Sequence, residues 1–385
     1  MSSGPLSGVR VVELAGIGPG PFAVMLLADM GATVVRVDRT GGPNPDYTPN
    51  PVIERGRQSI AVDLKTGAGL AVLLDLVAAS DVLVESYRPG VAERLGFGPD
   101  VCHARNPALV YGRLSAWGQS GPLAQVAGHD INYIAMSGAL HSIGRAGEPP
   151  VPPLNLIGDF GGGAASLAFG IVCALWEASG SGRGQVVDAN VLESTAGLMG
   201  LVHGLRAQGR WSGERASNLL DGGCPYYDVY TCADGRWISF GAIEERFYRN
   251  ALEVLGGGDD AELVDAHKDR ARWPALRAFL TRAFGSRTRD EWVRAFEGVD
   301  ACVAPVLDLD EARLHPQSVA RTSYVPIPDS EYHQPSVAPR FSRSRTPVPP
   351  RGSRPGADTR SVLTGLGYPR SRIDQLLAGG AVAER

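Results

Sequence analysis

Residues 9–38 constrain the fold more than any other part of the chain. VRVVEL is a run of apolar residues that reads as a buried strand. GIGPGP follows as a loop, PFAVMLLADMGA reads as a helix ending at Gly31, and TVVRVD reads as a second strand. A strand, a crossover helix and a strand of this kind open a doubly wound α/β domain, with helices on both faces of a parallel sheet. The alternation continues. LAVLLDLVAASD is helical, DVLVES a strand, VAERLG a short helix, and ALVYGRLSAWG a strand with its exit loop. Past Asp159 an apolar helix is expected over about 160–179, and GQVVDANV is a strand running into the next helix.

The pattern changes near residue 205. WSGERASNLLDGGCP is polar and glycine-rich, as a linker would be. YYDVYTCADGRWISFGA reads as a hairpin turning at Ala-Asp-Gly. Helical patterns follow, then one more strand in DACVAPVL. The chain of 385 residues exceeds one ordinary core. The expected division is a large Rossmann-like domain over 1–205 completed by 340–385, a linker over 206–224, a smaller α+β domain over 225–325, and a return linker over 326–339.

Net charge is −4, which gives no global field for nucleic acid or a membrane surface. Lys65 and Lys268 are the only lysines. Arginine carries the rest of the basic charge, and its planar fork grips phosphates. Cys102, Cys173, Cys224, Cys232 and Cys302 have neither metal-knuckle nor disulfide-framework spacing. Reduced thiols, and an opening MSSGPLSG without the regions of a secretory leader, point to the cytoplasm. No apolar run is expected to span a bilayer.

GIGPG lies between a strand and a helix, and Asp38 follows about twenty residues on, as in a dinucleotide fingerprint. The third glycine is misplaced, however, and Pro19 and Pro21 remove amides that a pyrophosphate would use. A dehydrogenase and a plain tight turn are both open at this point. Arg36, Arg39, Lys65, Arg88 and Arg94 gather at strand exits, where ligands of open α/β sheets bind. As a group they imply a ligand with more than one phosphate.

GHDINY (128–133) and NLIGDFGGG (155–163) are the two unusual polar stretches. Singly, His129 reads as a hydrogen-bonded core histidine, Asp130 or Asp159 as a helix N-cap, and Glu244 as an acid facing a helix dipole. Asp159 is harder to dismiss. Three glycines make a poor helix start and are tolerated where backbone must approach something large, such as an acyl ligand.

With RVVELAGIGPGP, ESYRPGVAERLG, GRLSAWGQSGP, AGHDINYIA, PPLNLIGDFGGG, LDGGCPYYDVYTCADGR and GAIEERFY, the chain resembles the alpha-methylacyl-CoA racemases of the family III CoA-transferase superfamily along essentially its whole length. The resemblance implies an interlocked homodimer and inversion of the α-carbon of a 2-methylacyl-CoA. His129 and Asp159 would act on opposite faces of that carbon. Glu244, reaching the site from the other subunit, would pair with Asp159. Tyr133 would orient these groups. Coenzyme A would contact Arg39, Val62, Asp63, Leu64, Lys65, Ser86, Tyr87, Arg88, Arg94, Gly128, Asp130 and Tyr133. Backbone amides near Asp130 and at the Asp159 helix start would hold the enolate oxygen. No separate cofactor or metal is implied, since coenzyme A belongs to the substrate, and neither nucleic acid nor membrane is an expected partner.

The superfamily's other activity is transfer of coenzyme A between acids through an aspartyl thioester, here on Asp159. The resemblance places an aromatic residue at the His129 position in such transferases, which favours the racemase. An inert CoA-binding scaffold is disfavoured because all three acid–base positions are filled. The chain departs from the racemases in its few methionines, of which Met136 and Met199 are the pocket candidates. It also departs in the charged pair Glu245-Arg246 after Glu244.

Overall fold

The computed structural model describes residues 4–42 and 49–384. The chain forms two compact units: one takes in the chain up to Ser137, Leu154–Met199 and Arg321 onward, the other Gly138–Pro153 and Gly200–Ala320.

The first unit is built on a seven-stranded sheet. Numbered in chain order, its strands are β1 (Arg10–Leu14), β2 (Thr33–Asp38), β3 (Arg57–Val62), β4 (Val82–Glu85), β5 (Val110–Ser115), β6 (Val186–Asn190) and β12 (Val382–Ala383). Their order across the sheet is β12-β3-β2-β1-β4-β5-β6. All pairs are parallel except β12 on β3. The order reverses between β1 and β4, so a crevice is expected at the carboxyl ends of those two strands. Successive side chains alternate between the faces. Val11, Val34, Val82 and Val110 pack with α1 (Pro19–Asp29) and α6 (Ala165–Ser181). Val12, Leu83 and Tyr111 point the other way, toward α2 (Gly67–Ala78), α15 (Thr359–Gly365) and α16 (Arg370–Ala378).

Buried ion pairs tie the sheet to its loops. Arg57 Nε donates to Glu13 at 2.5 Å, and Arg55 Nη2 to Asp29 at 2.5 Å. Arg36 donates to Asp38 at 2.8 Å and to Glu54 at 2.9 Å. Arg36 is therefore not one of the phosphate-binding arginines that its position at a strand exit implied.

Contrary to the sequence expectation, one helical run is long and apolar enough to cross a bilayer. Leu156–Ser181 covers 26 residues and contains an 18-residue stretch with mean hydropathy 1.6. Asp159 and the glycine triplet break this run on paper but do not break the helix. A π-helical turn, Leu156–Ala164, continues directly into α6. Leu167, Ala168, Ile171 and Ala174 bury one face of α6 against the sheet. The opposite face leaves Phe169 72% and Trp176 82% exposed.

The second unit holds β7 (Tyr227–Thr231), β8 (Trp237–Gly241) and β9 (Val303–Pro305), paired antiparallel in that order. β7 and β8 are the hairpin that the sequence predicts. Their inward residues Tyr230, Ile238 and Phe240 pack on α9 (Glu245–Leu255), α11 (Trp273–Phe284) and α12 (Arg289–Ala295).

Candidate active site

Asp159 lies within the π-helical turn, with Asn155 at its N-terminal end. π-turns are uncommon and concentrate at functional sites. Asn155 Nδ2 donates to Asp159 Oδ2 at 3.4 Å. The Asp159 amide donates to Oδ1 of Asp130 at 2.7 Å. Asp130 is 8% exposed, so this bond closes in a protected setting. Burial, foremost, pushes the Asp159 carboxyl up to about 6. The Asp130 charge adds to the rise, while Asn155 and His129 oppose it.

His129 precedes α5 (Asp130–Met136) in extended backbone and is exposed. Its amide donates to Oδ1 of Asn132 at 3.0 Å. Tyr133 donates its hydroxyl to the Gly128 carbonyl and stands edge-on to Trp117 at 4.9 Å. Burial pushes that phenol up to about 12, so it stays neutral and keeps its proton on Gly128. A Cβ at Gly128 would sit 2.7 Å from the Tyr133 ring and 2.9 Å from Trp117. GHDINY is thus a closed local device. Asn132 and Tyr133 hold the backbone of residues 128–129, and Asp130 reaches across to Asp159. The side chains of Asp130 and Tyr133 are buried and hold these two segments in place.

Two further expectations change. The enolate donors were expected at both helix starts, yet the Asp159 amide is bound to Asp130 and that of Phe160 to the Asn155 carbonyl. Asp130, at the first helical position of α5, keeps an amide that no intrahelical carbonyl can take. Two glycines of the triplet serve packing, while Gly161 is exposed. A Cβ on Gly162 would fall 2.9 Å from Oγ1 of Thr195, and one on Gly163 2.9 Å from Val191. Both neighbours belong to α7 (Val191–Leu198), which lies against the π-turn.

The GIGPG loop also changes meaning. A Cβ on Gly20 would meet Ser86 Oγ at 2.2 Å, and one on Gly18 would meet Asp159 Oδ2 at 3.7 Å. Phe22 stacks on Phe160 with centroids 4.2 Å apart. The glycines bring the end of β1 against the end of β4 and beside Asp159, at the point where the strand order reverses. Asp38 is no ribose acid, because its Oδ2 accepts from Arg36 and, at 2.6 Å, from Ser59. The dehydrogenase reading loses its key residue.

The cationic candidates remain open to a ligand. Arg39, Lys65 and Arg88 are exposed just beyond the ends of β2, β3 and β4, Arg94 is exposed on the helix Val91–Leu95 that follows β4, and none is ion-paired to another described residue. Tyr87 is half-buried and donates its amide to Glu85 at 2.6 Å. Val62 lies in the core at 2% exposed, which leaves strand-exit contacts to Asp63, Leu64 and Lys65. Met136 is exposed on α5 and Met199 half-buried after α7. In the second unit, Glu244 is the N-cap residue of α9, exposed and without a cap bond. The charges that follow it are neutralised elsewhere. Glu245 pairs with Lys268 at 2.7 Å and Arg249 at 3.0 Å, and Arg246 with Asp300 at 3.7 Å.

The model of CoA-transferase family III matches residues 6–359. The chain belongs to CoA-transferase family III. Within it, the chain is 46% identical over 374 residues to the mouse alpha-methylacyl-CoA racemase, covering 96% of each protein. The human alpha-methylacyl-CoA racemase is 42% identical over the same span and coverage. An acetyl-CoA:oxalate CoA-transferase of Acetobacter aceti is 30% identical over 343 residues, 84% of this chain and 86% of that protein. The fold matches a crystal structure of a CAIB/BAIF family protein from Brucella suis with a TM-score of 0.80 at 23% identity, over 95% of this chain and all of that one. Sequence reasoning singled out His129 and Asp159, and the structure sets the segments that carry them together through the Asp130 bond. That reasoning missed the inward role of Asp130 and the contact of Asn155 with Asp159. The four-residue spacing from Asn155 to Asp159 was the available signal, since such residues share a helix face.

Proposed function

We propose that this protein is an alpha-methylacyl-CoA racemase, which inverts the α-carbon of 2-methylacyl-CoA thioesters. The observation that carries the reading is the bond from the Asp159 amide to Asp130, the residue next to His129, which ties the GHDINY and NLIGDFGGG segments together. A thioester α-proton is weakly acidic, so its removal needs a positioned base and stabilisation of the enolate oxygen. On one face the base takes the proton, and the C–H pair becomes the enolate. On the other face the acid returns a proton to the carbon. A histidine and a carboxyl can each serve as base or as acid, so either can start the exchange. The Asp130 amide is the donor assigned to the enolate oxygen. Racemase relatives at 46% and 42% identity support the reading over the transferase one.

The phosphates of coenzyme A fall to Arg39, Lys65, Arg88 and Arg94, whose forks and ammonium are unclaimed. The enzyme works as an interlocked homodimer, in which Glu244 of one copy completes the site of the other. The exposed Phe169 and Trp176 support an interface. Proton transfer of this kind calls for no cofactor beyond the coenzyme A of the substrate. Five free thiols suit a reducing compartment, the cytoplasm.

The test is a single enantiomer of a 2-methylacyl-CoA in deuterated buffer, followed by NMR, with a free carboxylic acid in a parallel tube. Loss of the α-proton signal with both enantiomers appearing supports the racemase. Retention of that signal with coenzyme A moving to the added acid would make Asp159 a nucleophile and overturn it.

A further inference from the structure

We propose that His267 is the positioning residue for Glu244, an inference that rests on the catalytic part given to Glu244 above. Glu244 stands at the turn from β8 into α9. The turn is bound at its ends: the Gly241 amide donates to Cys302 at 2.9 Å, and the Tyr248 amide to the Glu244 carbonyl at 3.1 Å. The carbonyl of Ile243, the residue just before Glu244, pairs with Nε2 of His267 at 2.8 Å. A carbonyl only accepts, so Nε2 carries the proton. Nδ1 is buried without a partner. With Nε2 as the donor to Ile243, the geometry selects the Nε2–H tautomer.

The ring has little freedom. It packs against both Tyr226, at a centroid distance of 4.6 Å, and Tyr248, at 4.9 Å, in a triangle of three rings. Tyr226 also donates its hydroxyl to the His267 carbonyl at 3.0 Å. Tyr248 belongs to α9 itself, one turn past Glu244, so the helix bearing Glu244 helps hold the ring that fixes its start. The next residue, Lys268, pairs with Glu245 at 2.7 Å. Consecutive residues of one loop therefore hold the neighbours on both sides of Glu244, while the Glu244 carboxylate itself remains without a hydrogen bond or ion pair to a described residue. The Lys268 pair is exposed and weak. The His267 bond is the specific constraint. It sets the peptide plane between Ile243 and Glu244, and so the direction in which the carboxylate leaves the chain.

The experiment measures α-proton exchange in deuterated buffer for the full-length enzyme carrying His267→Phe, His267→Gln, Glu244→Gln, and both Phe and Gln changes together. Phenylalanine keeps the aromatic stack and removes the donor. Glutamine places an amide N–H near the lost Nε2. His267→Phe is expected to lower kcat about 10- to 100-fold, with KM and thermal midpoint near those of the parent. His267→Gln should recover most of that loss. In the Glu244→Gln background, His267→Phe should have no further effect, because residues acting as one unit are non-additive. An impaired Glu244→Gln beside a fully active His267→Phe would overturn this inference alone. So would an equal loss from His267→Phe in both backgrounds. A fully active Glu244→Gln would remove Glu244 from the chemistry and this inference with it. Should His267→Phe fail to fold, His267→Asn replaces it. Its shorter amide cannot reach Ile243, and activity equal to that of His267→Gln would overturn the proposal.

Discussion

The buried carboxylate of Asp130 accepts the backbone N–H of Asp159 at 2.7 Å, so one acid fixes the position of another and raises its pKa by its charge. Asp130→Asn keeps an oxygen acceptor and removes that charge. The Asp159 carboxyl should then titrate lower, and the acidic limb of the pH–rate profile should move down. Asp130→Ala leaves the Asp159 amide unmet, at a cost of about 1–3 kcal/mol. A profile unchanged in Asp130→Asn would remove the electrostatic link.

His129→Ala should abolish proton exchange from one enantiomer, by about 10²- to 10⁴-fold, and spare the melting temperature. Chiral chromatography after deuterium exchange reads this directly. Full exchange from both enantiomers would leave His129 outside the chemistry.

Asp159 also predicts a pH-dependent stability. Its folded-state pKa, about 6, lies above the ordinary 3.8, so the fold favours the protonated form. Stability from this group is present below the unfolded value and is lost as pH rises through about 6. Asp159→Asn should therefore melt higher than the parent at pH 7.5. The gap should narrow steadily as the buffer is taken toward pH 4. Equal melting at both pH values would contradict the raised pKa.

Gly158→Ala tests how tightly the two aspartates are packed. The new Cβ would lie 2.4 Å from Oδ1 of Asp130 and 2.8 Å from Ile134. A loss of about 1–3 kcal/mol is expected from overpacking, accompanied by reduced exchange. Gly180→Ala, with open space around it, is the control within α6. Denaturant titration of the two variants separates a steric cost from the general effect of removing glycine.

Trp176→Glu probes the apolar face of α6. If the proposed homodimer uses this face, light scattering should show the variant at a lower mass than the parent, with loss of activity if Glu244 must come from a second copy. A monomeric variant with full activity would refute the shared site.

The β-α-β opening was legible because its strands are continuous apolar runs and its helix ends on glycine, both local signals. The two segments that carry His129 and Asp159 stood out through their motifs, and the structure joins them through Asp130. What surrounds them was not legible. Arg36 reads as a phosphate ligand until Glu54 is seen beside it, and no local rule pairs those two positions. Gly162 and Gly163 read as space for a ligand because nothing in NLIGDFGGG announces that Val191 and Thr195 will fill it. Helix length failed for a related reason. Asp159 looks like a cap, but a π-turn lets the helix run through it.

The antiparallel strand β12 closes the outer edge of the sheet against β3, with Val382 opposite Val62. During synthesis β3 leaves the ribosome long before Val382 does. Until then its hydrogen-bonding edge is open, and an open edge invites pairing with other chains. The first unit can therefore close this edge only after the intervening residues of the second unit have been made.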